Sequence, residues 1–183
     1  MMGREEALKL LKEHLHDDRL VKHSLAVEAI MAGLAERFGE DRELWSLTGL
    51  LHDLDYEETS SNFQLHGVRS AELLEGKLPQ EALEAIRAHN ELTGYRSESR
   101  LALALQAADQ VSGLITATAL VMPGKKLREV KVSSLKKKFK QKDFARKIDR
   151  GKILQVEKLG LTLEDFFALS LESLQAIDSQ LGL

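Results

Sequence analysis

The chain has no cysteine, only two prolines among its 183 residues, and few aromatics, with Phe, Trp and Tyr together at 5%. Without cysteine there is no disulfide scaffold and no cysteine nucleophile. No run of 18 apolar residues occurs, so no membrane span is expected. The N-terminal stretch MMGREEALKLLKEH is charged from its first turns and lacks the apolar segment of a secretory signal, so a soluble, cytoplasmic protein is expected. What is present is balanced: 43% hydrophobic and 30% charged residues exclude low-complexity disorder and collagen. A chain of this length can bury a sizeable core.

The formal net charge of −3 hides an asymmetry. Residues 125–152 hold thirteen Lys or Arg against Glu129, Asp143 and Asp149, a local charge of +10, and the remainder carries −13. A basic segment on an acidic body suggests an anionic partner, docking onto the body itself, or a solvated helix face.

Hydrophobic spacing is helical nearly throughout, and no stretch alternates with period two for long enough to argue for a sheet. The spacing predicts an all-α fold. Helices are expected at about Glu5–Leu15, from Asp18 to Gly39 with the glycine as C-terminal stop, and over RELWSLTGLLHDLDY behind Asp41. A fourth is expected from His66 to Gly76 and a fifth from Pro79 to Asn90. The longest apolar stretch, Leu101 to Met122, follows Ser97 and is stopped by Pro123 and Gly124. Beyond it the pattern predicts a basic helix at Ser134–Lys140 and another at Asp143–Leu159. A last helix is expected behind Thr162, whose spacing to Asp165 fits a capping box.

Four histidines stand in unusual places: His23, His52 of a His-Asp pair, His66 and His89. Asp109 lies inside LALALQAADQVSGLITATALV, where an unpaired carboxylate would cost several kcal/mol to bury. His23 shares a face with Val27, Ile30 and Leu34, and His52-Asp53 follows the apolar run LTGLL. Taken singly, each has an ordinary explanation: a core histidine bonded to a carbonyl, or a carboxylate paired with a base. Together, on successive helices of one bundle, they suggest inward-facing metal ligands. Imidazole and carboxylate donors without thiolate suit Mn, Fe, Co, Ni or Zn.

The ordered set His23, His52-Asp53, Asp109, within KHSLAVEAIMAGLAERFG, TGLLHDLDYE and ALQAADQVSGL, resembles the HD-domain superfamily of metal-dependent phosphohydrolases. LHGVRSAELL and AIRAHNELTG place His66 and His89 where binuclear members have two further histidines. The resemblance implies one HD-type unit over residues 1–183, a compact helical bundle with its core at about 19–122 and a basic helical extension at about 123–183. His23, His52, Asp53 and Asp109 would hold one divalent ion, and Asp53 would bridge to a second held by His66 and His89. Mg would fit this donor set less well than a transition metal. Asp53 and His52 would be the catalytic pair, and metal-bound hydroxide would attack the phosphorus of a nucleotide or another small phosphorylated metabolite. Many members have Lys or Glu three residues after the HD aspartate; Tyr56 stands here and would contact substrate, as would Lys125 and Lys126. A metal-stabilised regulatory module without turnover, or a di-iron oxygenase of the same superfamily, are the alternatives. No nucleic-acid recognition motif is evident, no membrane partner is expected, and the apolar C-terminal helix leaves an oligomer open.

Overall fold

The computed structural model describes residues 1–183 and contains helices without strands. In chain order they are α1 (Arg4–His14), α2 (Asp18–Phe38), α3 (Arg42–Leu51), α4 (Val68–Leu73), α5 (Gln80–Ala88), α6 (Arg100–Leu120), α7 (Val132–Lys140), α8 (Arg150–Ile153), α9 (Leu163–Gln175) and α10 (Asp178–Leu181). The caps follow the sequence closely. Asp41 accepts from Leu44 N–H at the start of α3 and Gly39 closes α2 in the left-handed region, φ 69°. Thr162 accepts from Asp165 N–H at 3.1 Å to open α9. Such a side-chain cap is worth about 0.5–2 kcal/mol.

The two longest helices, α2 and α6, form the axis of the bundle, with α3 packed along α2 and α5 along α6. Gly49 is required where α3 crosses α2, because a Cβ there would stand 2.9 Å from the Val27 carbonyl. On the other flank α9 packs against both α2 and α6, and its Phe166 and Phe167 are wholly buried. The core is therefore one cluster running from Met2 to Leu181.

Several boundaries differ from expectation. The fourth helix covers only Val68–Leu73 and not His66–Gly76. The third helix stops at Leu51, so His52 through Ser61 run in turns. The cap of α6 is Ser99, which accepts from Ala102 N–H, and not Ser97. The continuous helix expected over 143–159 is replaced by turns, the four-residue α8, and a 3-10 segment at Leu154–Leu159. Local polar chemistry overrides the helical spacing there. Asp149 caps α8 by accepting from Lys152 N–H, and the Arg150 side chain draws in backbone carbonyls that a helix would have bonded internally.

Candidate metal centre

The donor side chains arrive from five places on the bundle. His23 sits on α2 and Asp109 midway along α6. His52 and His89 are the residues at which α3 and α5 end, and His66 follows a short 3-10 turn. The two helix ends repeat one device. His52 Nδ1 donates to the Gly49 carbonyl at 2.7 Å and His89 Nδ1 to the Ile86 carbonyl at 2.6 Å, each capping a carbonyl three residues back. His66 Nδ1 donates to Asp55 Oδ1 at 2.8 Å. The Ser112 hydroxyl donates to the Asp109 carbonyl, so at 3.3 Å from Ser112 Oγ the Nδ1 of His23 carries the proton. All four rings are thus fixed through Nδ1 and offer Nε2 to the interior.

Those Nε2 atoms converge on two carboxylates. Asp53 Oδ1 lies 3.1 Å from His66, 3.2 Å from His52 and 3.3 Å from His89, while Oδ2 lies 3.4 Å from His23. Asp109 Oδ1 is 3.0 Å from His23 and 3.6 Å from His52. Two sets able to hold an ion result, His23–His52–Asp53–Asp109 and Asp53–His66–His89, and Asp53 belongs to both.

Two observations fit a cation. The Nε2 atom of wholly buried His52 has no hydrogen-bond partner, and leaving such a group bare costs about 1–3 kcal/mol. The Nε2 atoms of His66 and His89 face each other at 3.1 Å although both rings already donate through Nδ1. Two lone pairs at that separation need a proton or a metal ion between or beside them.

Without a metal, protons fill that role. Burial alone would lower the His52 imidazole, but the charges of Asp53 and Asp109 outweigh it and raise its pKa to about 9. His66 is likewise desolvated yet raised to about 10 by Asp53 and Asp55. Burial would raise both buried carboxyls. The surrounding imidazoles instead hold Asp53 and Asp109 well below the usual carboxylate range.

Asp55 was not singled out in the sequence, although the cost of burying a carboxylate applies to it as much as to Asp53. It is fully buried. Besides holding His66, it accepts from Gly67 N–H at 2.8 Å and Ser70 N–H at 2.9 Å. Gly67 has φ 96°, and a Cβ on it would stand 2.8 Å from the Ile86 carbonyl, so only glycine can follow His66 here. Asn90 ties the same corner by donating to the Phe63 and His66 carbonyls.

Five of the donors, all but the wholly buried His52, line a cleft of about 530 Å³ with Tyr56, Phe63, Asn90, Glu91, Gln110, Lys147, Asp149 and Lys152. Tyr56 packs edge-on to His66 and Phe63. Its phenol is pushed above its usual value by burial and by the charges of Asp53 and Asp109, so it remains a proton donor. Lys125 and Lys126 do not line the cleft. They follow the end of α6, and the twelve residues from Asp109 to Leu120 alone span about 16 Å at the helical rise. The chain does return to the site, but later, through Lys147 and Lys152. A larger cleft of about 930 Å³ between α2, α3 and α9 holds no donor cluster, and Arg4–Glu28 and Arg42–Glu36 pairs line it.

The HD domain family model matches residues 20–114, just over half of the chain and the stretch that carries all six donors. The chain belongs to the HD domain family. No curated protein and no solved structure matches it. The HD pair itself is His52-Asp53, and the HD domain match begins on α2 just ahead of His23 and ends on α6 just past Asp109. No helix of this HD protein is long and apolar enough to cross a membrane.

Proposed function

We propose that the chain is a metal-dependent phosphohydrolase acting on a phosphate ester of a nucleotide or another small phosphorylated metabolite. The observation that carries this reading is the sharing of Asp53 between two sets of donors, each with its imidazoles already oriented. His23, His52, Asp53 and Asp109 would hold one divalent ion, and Asp53, His66 and His89 a second; Mn, Fe, Co, Ni and Zn suit these ligands. Bound there, such ions supply Lewis acidity toward a phosphoryl oxygen and a water acidic enough to attack near neutral pH.

The chain's own residues do the rest. Hydrogen bonds at Nδ1 keep all four rings aimed inward, so little reorganisation is needed when substrate arrives. Asp53 and Asp109 stay ionised across the working pH range and position the donors around them. The Tyr56 hydroxyl, protonated and at the cleft wall, can donate to a substrate oxygen.

Asp55 fixes the ring of His66, and outer partners of metal-binding histidines typically contribute 10–100-fold in metal affinity. An Asp55→Asn variant is expected to lose about that much at the Asp53–His66–His89 set while keeping the other set, read by metal titration with elemental analysis. Equal affinity at both sets would remove Asp55 from the design.

The function itself is tested with a panel of nucleotides, dinucleoside polyphosphates and phosphomonoesters, assayed with Mn, Co and Ni. Metal-dependent phosphate release from at least one class is expected. Silence across the panel at full metal occupancy would overturn the proposal in favour of a binding module, and oxygen consumption by the iron form would overturn it in favour of an oxygenase.

A further inference from the structure

We propose that Lys147 binds an anionic, phosphate-type group of the substrate, presented to the cleft by a loop that Arg150 holds in shape; this rests on the phosphohydrolase reading above. The residues concerned lie beyond the stretch that matches the HD domain model.

The wall of the cleft is rich in acid. Asp53, Glu91, Asp109 and Asp149 line it against two lysines, Lys147 and Lys152. Lys152 is already engaged: its Nζ donates to Glu91 Oε2 at 2.6 Å and to the His89 carbonyl at 3.0 Å. Lys147 is exposed and makes no ion pair or hydrogen bond through its ammonium, so it is the one lysine of the cleft free to meet an incoming oxyanion. An ammonium is a point-charge partner for phosphate.

The loop that carries Lys147 is built at a cost. Ala145 sits at φ 48°, a conformation that disfavours a non-glycine residue by about 1–2 kcal/mol. The five N–H groups of Arg150 reach six backbone carbonyls, those of Lys138, Phe139, Gln141, Phe144, Ala145 and Ile148. One side chain thereby gathers the whole turn around itself. Ile148 then packs on α6 where Gly113 leaves room, since a Cβ at 113 would stand 2.6 Å from Ile148 Cδ1.

A single amide joins this loop to the donor cluster. Gln110 Oε1 accepts from Asp149 N–H at 2.8 Å, and Gln110 Nε2 donates to Asp109 Oδ2 at 3.1 Å. The position of Lys147 is therefore tied in two short links to a carboxylate of the cluster. A strained turn, a saturated arginine and a tether to the site make sense together if the loop must hold a side chain in place for a ligand.

The test uses the full-length, metal-loaded protein and inorganic phosphate as probe, measured by titration calorimetry, with steady-state kinetics on whichever ester is hydrolysed. Lys147→Gln is expected to weaken phosphate binding about tenfold, the scale of one hydrogen bond to a charged group, with metal stoichiometry unchanged. KM should rise by a similar factor and kcat should stay within about twofold. Lys147→Arg should recover most of the affinity, and Lys137→Gln, an exposed change on α7, should bind as the parent does. Arg150→Lys, a change in a positioning residue, should raise KM with full metal content. Should it fail to fold, the Lys147 variants decide alone. Phosphate affinity and KM unaltered in Lys147→Gln would overturn this inference and leave the phosphohydrolase reading standing. A metal-loaded parent that neither binds phosphate nor hydrolyses any ester would overturn both.

Discussion

An Asp53→Asn variant is expected to leave purification with little or no metal and to lose hydrolysis by more than the roughly 10²–10³-fold that removal of a single transition-state donor costs other enzymes. The magnitude follows from the position of the carboxylate. Four imidazole Nε2 atoms lie within 3.4 Å of its two oxygens, and it is the one residue common to both donor sets. Asn preserves the shape of the side chain and removes the charge, so a folding defect is less of a concern than with Ala. Removing one partner from a buried charge cluster still costs about 3–5 kcal/mol, and the imidazoles are expected to lose protons in response. Elemental analysis, far-UV circular dichroism and the substrate panel together separate the effects. Folded Asp53→Asn protein with parental metal content and turnover would contradict the assignment of the site.

Metal removal is expected to produce the second large effect, and its pH dependence has a definite sign. In the metal-free chain His52 and His66 titrate at about 9 and about 10, above the ordinary histidine value of 6.5. Folding therefore takes up protons. The stabilisation is complete below about pH 6.5 and is lost as pH rises through about 9 and 10. Asp53 and Asp109, depressed in the fold, contribute in the opposite sense: their share is complete above about pH 4 and is lost as pH falls below that toward their depressed values. Metal-free protein should then be most stable between about pH 4 and pH 6.5.

Loading reverses the upper limb, because a metal ion needs neutral imidazoles and so binds more tightly as pH rises. At a free metal concentration a thousandfold above Kd the gain is about 4 kcal/mol, a Tm increase of roughly 8–16 °C for a chain of this length. Loading at pH 7 should also expel protons from His52 and His66, measurable by calorimetry in two buffers of different ionisation enthalpy. Loading without proton release at that pH would mean these histidines are not ligands.

The parts of the fold that could be read from the sequence are those governed by local rules. Asp41, Gly39 and Thr162 fixed helix ends through cap chemistry that depends on a few neighbouring residues. The clustering of His23, His52, Asp53, His66, His89 and Asp109 was legible because buried polar groups are expensive, and an ordered set of them suggests a common purpose. Asp55 could have been found by the same reasoning, since it shares the run that buries Asp53. The break at 141–149 could not. It depends on Arg150 capturing carbonyls as far back as Lys138 and on the gap at Gly113 in another helix, and neither leaves a mark in hydrophobic spacing. The basic charge of this region pointed to an anion, but the spacing could not tell Lys147 from Lys125. That distinction is set by the length of α6 and the later return of the chain.

The doubly used carboxylate of Asp53 has one more consequence. A dication seated among His23, His52 and Asp109 would draw electron density from Asp53 and repel a neighbour, so the two positions would fill in sequence, the four-donor one ahead of the three-donor one. Occupancy followed against added metal should then rise in two legs, and the stoichiometry at which turnover begins would reveal whether chemistry starts with the first leg or waits for the second.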